Sequence, residues 1–74
     1  MSVLNRIESK DGKRIIEVLR EEDGTFVLRK RVRKYDHEEG RWYEIGVRPD
    51  PSGRFADHEI AIAEAKALLD LKVD

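Results

Sequence analysis

Residues 57–72, DHEIAIAEAKALLDLK, are written for a helix with apolar side chains on two opposite sides. At 3.6 residues per turn, Ile60, Ala63, Ala67 and Leu71 line one side. Ile62, Ala65 and Leu69 line the side about 180° away. Glu59, Lys66 and Asp70 form the polar strip between them. A surface helix of a small monomer needs one apolar stripe. A second stripe needs a second surface, and in a chain of 74 residues that surface is expected to belong to another copy. This places Ile62, Ala65 and Leu69 at a self-association surface. The competing arrangement covers them with residues 49–56, Phe55 folding back.

Size leads to the same expectation. A chain this short makes one domain and buries only roughly 60% of the surface that its unfolded form exposes. It has no cysteine, so neither disulfides nor a thiolate metal site can staple it, and self-association is the remaining common device. The missing cysteine fits a reducing compartment. The longest apolar runs, such as 60–63, are four residues, far short of a membrane span. Asn5, Arg6 and Glu8 interrupt any secretory leader. A cytoplasmic protein with no membrane partner is expected.

Three turns organise residues 1–48. Asp11-Gly12 and Asp23-Gly24 are two-residue hairpin signals, because Gly tolerates the positive φ of a type I′ turn. The third, 36–41, is a longer polar loop carrying Gly40. Four strands follow, over about 3–10, 13–22, 25–35 and 42–48, joined as an antiparallel meander. Residues 49–56, PDPSGRFA, are a connection, since two prolines and a glycine cannot continue a strand. Asp57 is a natural helix N-cap, accepting from the N–H of Glu59 or Ile60. The fold class is α+β: a four-stranded antiparallel β-meander, then one C-terminal amphipathic helix on one sheet face.

Registers follow from the turns. A tip at Asp23-Gly24 sets Leu19 opposite Leu28, Glu17 opposite Lys30 and Ile15 opposite Val32. The third loop sets Val32 opposite Ile45, Arg33 opposite Glu44 and Tyr35 opposite Trp42. The first hairpin pairs Leu4 with Leu19, Arg6 with Glu17 and Ile7 with Ile16. The helix is then expected over a face carrying Leu4, Ile15, Leu19, Phe26, Leu28, Val32, Tyr43, Ile45 and Val47. The other face carries Val3, Ile7, Ile16, Val18 and Val27, followed by the arginine row described next. Those five apolar residues are a second surface on which a dimer could form.

The third strand is the sharpest chemical feature. Residues 26–35, FVLRKRVRKY, put five cations within six positions, Arg29 to Lys34. Alternation sends Arg29, Arg31 and Arg33 to one face, with Tyr35 at the end and Trp42 beside it. Guanidinium groups bind phosphate bidentately, and aromatic rings stack on unpaired bases. These five residues are the candidate nucleic-acid or partner-binding set. Charge asymmetry agrees: residues 1–35 hold ten Lys or Arg against six Asp or Glu, and residues 36–74 hold five against ten. The net charge of −1 opposes a strong polyanion binder, because such affinity scales with the phosphates neutralised. The alternative is that the arginines solvate an open face and pair with Glu44 or with a partner's acidic tail.

The element order with its basic strand is similar to the single-stranded-DNA-binding fold of transcriptional positive cofactor four and its bacterial relatives. Those domains dimerise through the helix and bind nucleic acid on the curved sheet. The resemblance therefore implies a dimer with nucleic acid on the sheet face.

Other chemistry is thin. The tripeptide Asp-His-Glu occurs at 36–38 and at 57–59, yet nothing in the spacing closes a metal ligand set. Ser2, Ser9, Thr25 and Ser52 have no histidine placed to activate them. The glycines are scattered, so no phosphate-cradling loop exists. No cofactor and no enzyme activity are expected. The function expected is a non-catalytic binding module, self-associating as a homodimer, with a single-stranded nucleic acid or another protein as its partner.

Overall fold

The computed structural model describes residues 2–51 and 53–70. Leu71 and Lys72 of the expected helix lie outside the described residues. Four strands, β1 (Ser2–Glu8), β2 (Arg14–Arg20), β3 (Phe26–Asp36) and β4 (Arg41–Gly46), precede one helix, α1 (His58–Asp70). The strands form one antiparallel sheet in the order β1-β2-β3-β4. The meander and C-terminal helix read from the sequence are the architecture observed.

Two hairpins keep their expected register. Val32 opposes Ile45, Arg33 opposes Glu44 and Tyr35 opposes Trp42. Arg6 opposes Glu17 and Ile7 opposes Ile16. Within β1 a bulge between Val3 and Asn5 puts Val3, not Leu4, opposite Leu19. The middle hairpin departs by one residue. Leu19 opposes Val27, Glu17 opposes Arg29 and Ile15 opposes Arg31. The cause is the turn. Glu21 N–H donates to Thr25 C=O at 2.8 Å, and Gly24 N–H donates to Glu21 C=O at 3.0 Å. Gly24 has φ +88°. This is a three-residue loop, a tight turn followed by a left-handed glycine, in place of the two-residue loop expected.

A one-residue slip moves every side chain of a strand to the other face. The expected faces are therefore corrected. Ile7, Ile16 and Val18 join Phe26 and Leu28 beneath the helix, while Ile15, Glu17 and Leu19 join the arginines on the open face. The five-residue patch of Val3, Ile7, Ile16, Val18 and Val27 is split between the two faces and forms no single surface.

The helix stripe is corrected too. Ala61, Ala65 and Leu69, spaced by four, are buried against Ile16, Val18 and Leu28, with Ile62 and Leu68 packed at the margin. Two alanines let the helix axis come close to a sheet of larger side chains. Ile62, Ala65 and Leu69 are thus held by the chain's own core. The outward stripe is Ile60, Ala63 and Ala67, of which only Ile60 is large, and it is 58% exposed. The N-cap is as expected: Asp57 Oδ1 accepts from Glu59 N–H at 2.8 Å and from Ile60 N–H at 3.3 Å. Phe55 folds back and bonds Phe26 through both backbone groups, at 2.8 and 2.9 Å. The connection thereby continues the lane of β4 along β3 and returns the chain to the helix start.

Candidate interaction surface on the sheet

Alternation along β3 sends Arg29, Arg31, Arg33 and Tyr35 to the face opposite the helix, with Trp42 and Glu44 beside them on β4. The sequence-expected set of Arg29, Arg31, Arg33, Tyr35 and Trp42 is therefore brought together. Its arginines, however, already have anions. Arg29 Nε donates to Glu17 Oε1 at 2.8 Å. Arg31 Nε donates to Glu44 Oε1 at 3.3 Å, and Arg33 Nη2 to Glu44 Oε2 at 3.2 Å and Glu8 Oε2 at 3.3 Å. Arg6 of β1 completes the cluster, reaching Glu17 at 3.1 Å and Glu44 at 2.7 Å.

Four arginines thus meet three glutamates across all four strands. Hydrogen bonds from Arg6 and then Arg33 hold the Glu44 carboxyl below the usual carboxylate range, more than offsetting its partial desolvation. Glu17 is 4% exposed and fully bonded. Ile15 and Leu19 are buried on this face although the helix lies on the other. Across the neighbouring strands Ile15 faces Glu8 and Arg31, and Leu19 faces Val3 and Val27. Arg6, Glu8 and Glu17 were absent from the candidate set. The Arg6–Glu17 register announced one of these contacts. Glu17–Arg29 depended on the loop length at Gly24.

The arrangement changes what the basic strand can do. The cluster's own charge is +1, so a phosphate gains little unless it displaces a carboxylate. Lys30 and Lys34, the remaining cations of β3, lie on the helix side and make no ion pair among the described residues. Tyr35 and Trp42 meet edge-on at 5.2 Å between ring centroids, and His37 meets Tyr35 at 5.1 Å.

Both edge strands expose apolar side chains, Val3 and Leu4 on β1 and, in greater number, Trp42, Tyr43 and Ile45 on β4. Trp42 is 54% exposed on the open face, and Tyr43 and Ile45 are 42% and 41% exposed on the helix side. The helix contacts β1, β2 and β3 and leaves β4 bare. Among the described residues no strand pairs with the outer edge of β4. Val47 N–H donates to Lys30 C=O, which fixes the phase of the β3–β4 ladder. Tyr43 and Ile45 direct their backbone groups to β3, and Trp42, Glu44 and Gly46 direct theirs outward.

Elsewhere the chemistry is structural. His58 Nε2 bonds Asn5 Oδ1 at 2.6 Å and packs on Phe26. The Ser9 and Thr25 hydroxyls each donate to a turn aspartate at 2.6 Å. Among the described residues no three His, Cys, Asp or Glu side chains gather as a metal site. A cleft of about 360 Å³ lies between the end of the helix and residues 49–51, lined by Ile16, Val32, Val47, Pro49 and Leu68 with Lys30 and Asp50 at its margin. Its lining is mostly apolar. No described helix is long and apolar enough to cross a membrane. No protein-family model, curated protein or solved structure matches this chain.

Proposed function

We propose that this chain is a non-catalytic protein-binding module whose contact element is the free edge of β4. The observation that carries this reading is the coincidence on one short strand of three large exposed apolar side chains and three outward-facing backbone positions. An edge of that kind binds an extended segment by adding a strand, with the backbone giving affinity and alternate side chains giving selectivity. The turn roles of Ser9 and Thr25 and the packing of His58 support a non-catalytic reading.

The test is a titration of the isotope-labelled protein with a panel of extended peptides of alternating apolar pattern. The amides of Trp42, Glu44 and Gly46 shift and become protected from solvent exchange. Peptides that perturb only other regions, or none, overturn the reading.

A second reading rests on the exposed Tyr35–Trp42 ring pair at the end of the arginine row, a stacking platform for an unpaired base. It is single-stranded nucleic-acid binding on the open face, through Arg29, Arg31, Arg33, Tyr35 and Trp42. It requires oligonucleotide affinity that falls steeply with salt. The carboxylates already seated on all three arginines place it behind the first.

A further inference from the structure

We infer that the segment β4 receives is β4 of a second copy, paired antiparallel about a two-fold axis through Glu44. This rests on the β4-edge reading above and names its partner. Symmetry does most of the selection. A two-fold axis normal to the sheet keeps both helices on one side, so only residues of one face can oppose each other. The hydrogen-bonded pairs must fall on Trp42, Glu44 and Gly46, because these present their backbone outward.

Centring on Glu44 satisfies both demands with every paired residue inside β4. Tyr43 then opposes Ile45 of the second copy, twice, on the helix side. Aromatic and β-branched residues are favourable cross-strand partners, and these two are the strand's exposed apolar residues on that side. Trp42 opposes Gly46 of the second copy. A Cβ built on Gly46 meets nothing within 4 Å, so there is open space over that backbone for an indole. The two Glu44 residues face each other, yet each carboxylate is drawn back over its own sheet by Arg6, Arg31 and Arg33. Centring on Tyr43 would instead set Trp42 against Glu44 of the second copy. Centring on Ile45 would need residues beyond the end of the strand.

The other edge is less suited. The bulge in β1 interrupts its ladder, a usual means of blunting an edge. Pairing β1 with β4 would also be head-to-tail, which gives a ring or an open filament in place of a two-fold dimer.

Single cysteines test the register without background, because the chain has none. Tyr43→Cys and Ile45→Cys each replace a side chain that is about 40% exposed. In the proposed dimer the two positions form a non-hydrogen-bonded pair with Cα atoms about 4.5 Å apart, within disulfide reach. Under mild copper–phenanthroline oxidation, a mixture of the two variants gives a covalent dimer and neither variant alone does. Sedimentation of the unmodified chain shows its mass doubling as concentration rises. Cross-linking of Tyr43→Cys alone or Ile45→Cys alone overturns the register. A monomer at every concentration, with no cross-link in the mixture, overturns the second copy as partner. The peptide titration then separates the cases: protection of Trp42, Glu44 and Gly46 by peptide leaves the edge reading standing, and its absence removes that reading as well.

Discussion

Arg6 and Glu44 sit on the two opposite edge strands of the sheet and are joined at 2.7 Å. Adjacent strands lie about 4.8 Å apart, so this contact spans three strand spacings. Two long side chains bridge that distance over the open face. The ion cluster on the open face is therefore a clasp between edges as well as a set of local cross-strand pairs.

Replacing Glu44 with Gln tests what the clasp does. The amide keeps the shape but removes the charge that Arg6, Arg31 and Arg33 share. A lower melting temperature is expected. The variant should also acquire oligonucleotide binding that salt abolishes, because the open face gains an uncompensated positive charge. Calorimetry and a fluorescence titration at two salt concentrations check both. A variant that melts with the parent and ignores oligonucleotide would show that Glu44 neither fastens the sheet nor masks the arginines.

The same group sets an acid limb to stability. Arg6 foremost, and Arg33 after it, lower the carboxyl of Glu44 in the folded chain. A depressed carboxyl stabilises the fold at pH above its ordinary range, and that contribution fades as pH falls through the folded value. The stability gap between parent and Glu44→Gln should be full at neutral pH and close progressively below about pH 4.5, the ordinary Glu value. Denaturation at stepped pH measures it. A gap that stays constant into strong acid would mean the carboxylate is not coupled to folding. Added salt should narrow the gap at neutral pH, since the cluster is partly exposed.

The sequence was legible where local chemistry decides structure. Asp57 announces its cap, Gly40 its loop, and Tyr35–Trp42 their register, because each depends on residues close by in the chain. Two misreadings share one origin, which is that face assignment is a cooperative property. Asp23-Gly24 resembles a two-residue turn, yet Gly24 takes the left-handed position of a three-residue loop. That single residue exchanges Glu17 for Ile16 beneath the helix. It places a carboxylate among the arginines that otherwise look available to phosphate. The helix was misread for a related reason. Ala61 adds little to an apolar stripe by hydropathy, but small size is what close packing on Ile16, Val18 and Leu28 requires.

Substitution on the two sides of the helix separates those stripes. Leu69→Ala removes a side chain that is 7% exposed in the main cluster, at a cost of about 2–4 kcal/mol. Ala65→Leu forces bulk between helix and sheet and should cost about 1–3 kcal/mol. Ile60→Ala on the outward side should stay within about 0.5 kcal/mol. Urea denaturation of the three variants gives the order directly. A large loss at Ile60 with tolerance at Ala65 would reverse the orientation assigned to α1.

Gly24 carries the register of the whole β2–β3 pair, and its replacement isolates a backbone term. Its φ of +88° lies where an L side chain is strained, and a Cβ there would meet no atom within 4 Å. Contact cannot offset or add to the cost, so Gly24→Ala should lose about 1–2 kcal/mol from conformation alone. Gly24→Asn should lose less, because Asn accepts left-handed backbone more readily. Gly46 is the matched control, with equally open space but no positive φ. There alanine restricts the unfolded chain without straining the folded monomer, and at concentrations too low for pairing through β4 it should stabilise by about 0.4–1 kcal/mol. Equilibrium unfolding of the three variants should therefore move in opposite directions for two glycines that look equivalent by exposure. If Gly24→Ala and Gly46→Ala shift stability alike, the left-handed turn does not set the register. The exchange of Glu17 and Ile16 between faces would then need another cause.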